Sequence, residues 1–179
     1  MARNIQALIL AEDLRQATFV KTFLNERNVL GIRILPLPAG RGCGFDYVIR
    51  EYPLQLRAMR KRGASAGLLA VIDADHESTQ QRRYQLHAAL SQAQEEPPNH
   101  SECVEVLVPK RNMETWIFHL LGNPVNENDD YKRRVQDRDV ILAAKKFAAD
   151  CPRNLQANCP PSLKRGCDDL SAFRKCIQR

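Results

Sequence analysis

No stretch of this 179-residue chain approaches the roughly 20 consecutive apolar residues needed to cross a bilayer, which argues against a membrane-spanning helix. Nothing resembling a secretory leader precedes the first strand-like segment. Met1-Ala2-Arg3-Asn4-Ile5-Gln6 runs directly into it, and the expected location is cytoplasmic. The sequence contains no internal repeat and no low-complexity tract. The sequence also lacks a P-loop, because the glycines at 40, 42 and 44 are not followed by Lys-Ser or Lys-Thr. No Ser-His-Asp or Cys-His setting stands out, which leaves covalent hydrolysis unsupported. Six cysteines occur, at 43, 103, 151, 159, 167 and 176, but no two lie at the short spacing that opens a zinc site. With neither zinc spacing nor a leader, the cysteines of the tail are expected to be free thiols.

What is present fits a soluble globular chain. Hydrophobic residues make up 44% and charged residues 27%, and the length suits one domain with a full core. The net charge is +6, with the excess clustered at Arg57, Arg60, Lys61 and Arg62, at Arg82 and Arg83, at Lys110 and Arg111, and at Lys132, Arg133 and Arg134. Such clusters permit a polyanionic partner, and they are equally compatible with ordinary surface.

Residues 6–11 are a continuous apolar run, as in a strand buried on both faces. Asp13 is placed to cap a helix in which Ala17, Phe19, Val20, Phe23 and Leu24 recur at helical spacing. Residues 32–37, 68–73 and 104–108 read as three further strands. Helices are expected between them, over 78–96, over 113–121, and between the second and third strands, where Pro53 marks a kink or a start. Strand–helix alternation predicts an α/β fold, with a mainly parallel four-stranded sheet and helices on both faces. The texture changes at Gly122. Residues 1–122 are read as the α/β domain, and 123–179 as a loop and small helical C-terminal lobe packed on it.

Three acids follow strands: Glu12 after Leu8-Ile9-Leu10-Ala11, and Asp73 and Asp75 in Val71-Ile72-Asp73-Ala74-Asp75. In a parallel sheet these strand ends share one edge, where ligands bind. Two Asp residues at i and i+2 on an extended chain also face the same way. Carboxylates brought together repel one another unless a cation compensates, and Mg²⁺ or Mn²⁺ is the natural oxygen-seeking ion. Glu114 opens a helix at the same edge, as a further ligand or as a first-turn acid on the helix dipole. His76 is a candidate to orient water or phosphate, or else an ordinary loop histidine.

An acid after the first strand and Asp-x-Asp after a later one resemble the TOPRIM domain of topoisomerases, primases and OLD-type nucleases. Val71 to Asp75 with Arg82 or Arg83 downstream, Pro109…Glu114-x-Trp116 and Pro160-Pro161-Ser162-Leu163 are similar to small stand-alone TOPRIM proteins of mobile elements and phage defence. One departure is that the family's glutamate usually precedes a glycine, whereas Asp13 follows Glu12 here and is offered as an additional ligand. The resemblance implies a metal-dependent nuclease acting on DNA or RNA, with Glu12 as general acid or base. Asp73 and Asp75 would complete the catalytic set, and Glu12, Asp73, Asp75 and Glu114 the ligands of Mg²⁺ or Mn²⁺. Arg41, Arg82, Arg83, Lys110 and Arg111 would hold the nucleic-acid backbone, and an ATPase subunit is an expected partner. The alternative is an inactive TOPRIM-like module that binds nucleic acid or a partner protein.

Overall fold

Apolar residues on both faces of the two central strands demand two layers of helices, and the sheet is built that way. The computed structural model describes residues 6–37, 44–62 and 66–178. β1 (Ala7–Ala11), β2 (Ile32–Ile34), β3 (Gly67–Val71) and β4 (Val104–Leu107) form one all-parallel sheet in the order β2-β1-β3-β4. Six helices are α1 (Leu14–Glu26), α2 (Gly44–Lys61), α3 (Thr79–Gln92), α4 (Met113–Leu120), α5 (Asp137–Asp150) and α6 (Pro161–Ile177).

Side chains alternate across the sheet, as a strand's period of two requires. Ala7, Ile9, Leu69 and Val71 face a core with α1, α4, α5 and α6, where Phe19, Phe23, Trp116 and Phe147 cluster. Leu8, Leu10, Leu68 and Ala70 face a second core with Val48 and Leu56 of α2 and Leu86 of α3. Both layers are therefore legible as the near-continuous apolar runs of β1 and β3.

The strands are shorter than their apolar runs. β2 ends at Ile34, although Leu35 N–H still donates to the Ile9 carbonyl, because Pro36 has no N–H to continue the ladder. α3 begins one residue after Ser78, whose side chain accepts from Gln81 N–H, and it stops before Gln94, which sits at φ +55°. Pro53 lies inside α2 without ending it.

Residues 123–179 contribute to the same core as the sheet. α5 lies along α1, and α6 lies across β3 and β4. Gly166 allows α6 to approach the indole of Trp116, since a Cβ there would stand 2.3 Å from a ring carbon. Trp116 Nε1–H then donates to Ser162 Oγ at 2.8 Å, which satisfies its one polar atom in the core.

The expectation of free thiols in the tail is corrected. Cys103 is bonded to Cys176, and Cys151 to Cys167. The cause is invisible in linear spacing: α6 returns its last turn to the start of β4, while its middle abuts the end of α5. The Cα separations are 5.4 and 5.8 Å, within disulfide range. Cys159 is a free thiol, and Cys43 lies outside the described residues. Disulfides persist mainly in oxidising compartments, so these two bonds stand in tension with the expected cytoplasmic location. Among the described residues, no helix is long and apolar enough to cross a membrane.

Candidate functional site

From β1 the chain crosses to β2 on one side; from β3 it crosses to β4 on the other. β1 and β3 are adjacent, so their carboxyl ends flank the point where the connections part. That crevice is where open α/β sheets take ligands. Glu12 follows β1 and Asp73 follows β3, which puts both acids at the switch point.

The two are in direct contact. Glu12 Oε1 accepts a 2.9 Å hydrogen bond from Asp73 N–H, and Asp73 Oδ1 accepts from Met113 N–H, the first residue of α4, at 3.0 Å. Beyond the strands, Ala74 N–H donates to the Pro109 carbonyl and Asp75 N–H to that of Arg111, so the segments after β3 and β4 run together toward this edge. Gly44, at the start of α2, closes on Glu12 from another side: a Cβ there would stand 2.7 Å from the Glu12 Cβ. Asp73 is almost fully buried. Among the described residues, Glu12 Oε2 and Asp73 Oδ2 have no hydrogen-bond partner.

Burial is the chief reason the Glu12 carboxyl is pushed up to about 7; Asp75 and Asp13 add to it, while the Asp73 N–H and Arg82 oppose it. Asp73 is raised well above the usual carboxylate range, again by burial first and then by Glu12, Glu114 and Asp13. A group whose folded pKa is raised binds more protons folded than unfolded, so stability falls as pH rises between the two values. For Glu12 that window runs from 4.5 to about 7. In EDTA, wild type and Glu12→Gln should be similarly stable near pH 5, and the variant should be more stable near pH 8 by about 1–3 kcal/mol. Urea unfolding of both proteins checks this, and parallel pH profiles would count against it.

Asp75 departs from the expected convergence. The extended chain ends before it, and Asp75 adopts φ +50°, a left-handed conformation that aspartate tolerates. The alternation that would align it with Asp73 is lost, and its Oδ2 lies 3.2 Å from Arg82 Nη2. Glu114 is buried at the start of α4 and pairs with Arg15 at 3.0 Å. Asp13 caps α1 by accepting from Gln16 N–H at 2.9 Å, and at φ −149° the turn after Glu12 needs no glycine. Among the described residues, no group of three His, Cys, Asp or Glu side chains stands ready to hold a metal ion.

The basic candidates separate. Arg82 is buried, stacks 4.1 Å over the Phe45 ring, and donates to the Ala74 carbonyl as well as to Asp75. Arg83 pairs with Asp169 at 2.6 Å. Lys110 Nζ reaches the Glu77 carbonyl, and Arg111 Nη1 lies 2.9 Å from His76 Nε2. Arg41 lies outside the described residues.

Two cations join the site that the acid pattern did not reveal. Arg15, on the first turn of α1, bridges Glu114 and Asp137. Lys132 sits where the 126–134 segment folds back, tied by Asp130, which accepts from Asn112 Nδ2 and Lys132 N–H. Although desolvation works against it, Lys132 is held above its ordinary pKa by Asp73, Glu114, Asp75 and Asp130. Its only signal in the sequence is membership of a basic cluster. Glu114, Lys132 and Arg15 line one side of a cleft of about 610 Å³ whose other walls include Leu14 and Ile141.

No protein-family model matches the chain, and no curated protein or solved structure is significantly similar to it.

Proposed function

We propose that the chain is a Mg²⁺- or Mn²⁺-dependent nuclease that hydrolyses phosphodiesters of DNA or RNA at the Glu12–Asp73 edge. The observation that carries this reading is two acids held side by side at the topological switch point, the Glu12 carboxyl on the Asp73 backbone N–H, with both carboxyls raised in pKa. Such a pair is costly as two anions and is relieved by a proton or a hard cation. Glu12 and Asp73, each with an oxygen that has no partner among the described residues, would hold the ion. When bound, it would supply polarisation of the phosphoryl group and a lowered pKa for the attacking water.

The chain's own groups do the rest. With a cation bound, the Glu12 pKa would fall below its metal-free value, leaving a carboxylate placed to accept a proton from water and return it to the leaving oxygen. The Met113 N–H orients Asp73. Lys132 contributes positive charge toward the phosphate, and Arg15 holds Glu114 in place. The TOPRIM resemblance extends the proposal to a phage-defence or mobile-element system with a partner ATPase, by analogy.

Incubation with labelled single- and double-stranded DNA and RNA tests the reading. Cleavage is expected with Mg²⁺ or Mn²⁺ and none with EDTA. A purified, folded protein that cleaves none of the four under either metal would defeat it. The second reading, a non-enzymatic module binding nucleic acid or a partner protein, draws on the Arg82–Asp75 and Arg15–Glu114 pairs. These neutralise two of the four acids without any metal.

A further inference from the structure

Away from the acid pair, a second cleft of about 300 Å³ opens between the start of α3, the segment after β4, and α6. Its lining brings three cations together, Arg83, Lys110 and Arg165, with Glu127 as the lining carboxylate, while Asp169 and Glu105 also act on the two guanidiniums. The guanidinium groups are not loose. Asp169, buried beneath them, accepts from Arg83 Nη2 at 2.6 Å through one oxygen and from Arg165 Nε at 2.9 Å through the other. One buried acid thus orients two forks whose other N–H groups have no partner among the described residues.

Glu127 is itself engaged: its Oε1 accepts from Ser162 N–H in the first turn of α6 at 2.8 Å. Lys110 is anchored twice, by its backbone N–H to Ser162 Oγ at 3.1 Å and by Nζ to the Glu77 carbonyl, which leaves further N–H donors on Nζ. Thr79 adds a hydroxyl, while Val108 and Gly166 give an apolar floor.

We propose that this cleft is a phosphoryl-binding subsite, built to hold the phosphate of a nucleotide or nucleic acid on Arg83, Lys110 and Arg165. Planar guanidinium forks match phosphate oxygens, and their orientation by Asp169 lowers the entropy lost on binding. The space suits a phosphoryl group and its sugar. The subsite deepens the nuclease reading by adding an anchor for the substrate backbone, but phosphate binding itself needs neither metal nor cleavage.

Isothermal titration in EDTA tests it, with inorganic phosphate, a nucleoside 5′-monophosphate and a 5′-phosphorylated dinucleotide as probes. Saturable binding is expected, weakened about tenfold by Lys110→Gln and likewise by Arg165→Gln, the loss of one charge-assisted hydrogen bond each. Arg165 is two-thirds exposed, and Asp169 keeps Arg83 without it, so the second variant should fold. Tighter binding of the nucleotides than of inorganic phosphate assigns the cleft to nucleic-acid phosphate, and equal binding assigns it to the free anion; both support the subsite. Absence of saturable binding, or affinities unchanged in both variants, overturns it. Asp73→Asn separates the two proposals: lost cleavage with unchanged phosphate binding supports the acid pair and the subsite independently, whereas phosphate binding strengthened in that variant, where one repelling carboxylate is gone, places the anion at the acids and refutes the subsite.

Discussion

Asp73→Asn is expected to abolish metal-dependent cleavage while raising the stability of the metal-free protein near neutral pH. The amide keeps an oxygen for the Met113 N–H but carries no charge, so the hydrogen bond survives and the repulsion with Glu12 and Glu114 is gone. Asp73→Ala makes a less clean comparison, because it also leaves a buried N–H unpaired at a cost of about 1–3 kcal/mol. Glu12→Gln should fold well and lower turnover by about 10²–10⁴, since an amide cannot move a proton. In wild type, Mg²⁺ or Mn²⁺ should raise the melting temperature, because an ion that binds only the folded state stabilises it by mass action. That rise should be larger at pH 8 than at pH 5, where the ion competes with the Glu12 proton. Melting curves of wild type and both variants, with metal and with EDTA, decide the matter. Equal metal effects in all three proteins would remove Glu12 and Asp73 from the site.

The second large effect concerns the disulfides. Cys103–Cys176 closes a separation of 73 residues and Cys151–Cys167 one of 16. Chain-entropy reasoning assigns about 4 kcal/mol to the first and about 3 kcal/mol to the second. Cys176→Ser should therefore be the more damaging change, releasing the last turn of α6 from β4. Denaturant unfolding with and without a reductant measures both. A reduced protein as stable as the oxidised one would mean that helix packing alone seats α6.

The strands and the first two acids could be read from the sequence because their determinants are local. Apolar runs over 6–11 and 68–72 are short and bounded, as strands buried on both faces are, and each hands the chain to an acid at its carboxyl end. The direction of Asp75 is not legible in periodicity, which assumes an extended chain, whereas the backbone turns left-handed at that residue. Lys132 and Arg15 were missed as site members because their roles depend on how the 126–134 segment and α5 fold back onto α4. The cysteine pairing was hidden for the same reason, since it is set by the path of α6 over the sheet. Arg82 carried the right charge, but its burial over Phe45 follows from α2 and α3 packing together, which no linear cue announces.

The seat of α6 on the tryptophan gives the molecule its own optical gauge. Trp116 is the sole indole in the chain, held in a dry pocket by Phe19, Phe147 and Gly166, with its N–H on Ser162. Lys110 N–H donates to that same hydroxyl, so the emission colour of one residue is linked to the segment after β4 as well as to α6. Movement of the helix would admit water to the ring and shift its fluorescence to the red, while the distant face made by α2 and α3 contains no indole to contribute. Local opening of α6 can thus be told apart from global unfolding without attaching any label.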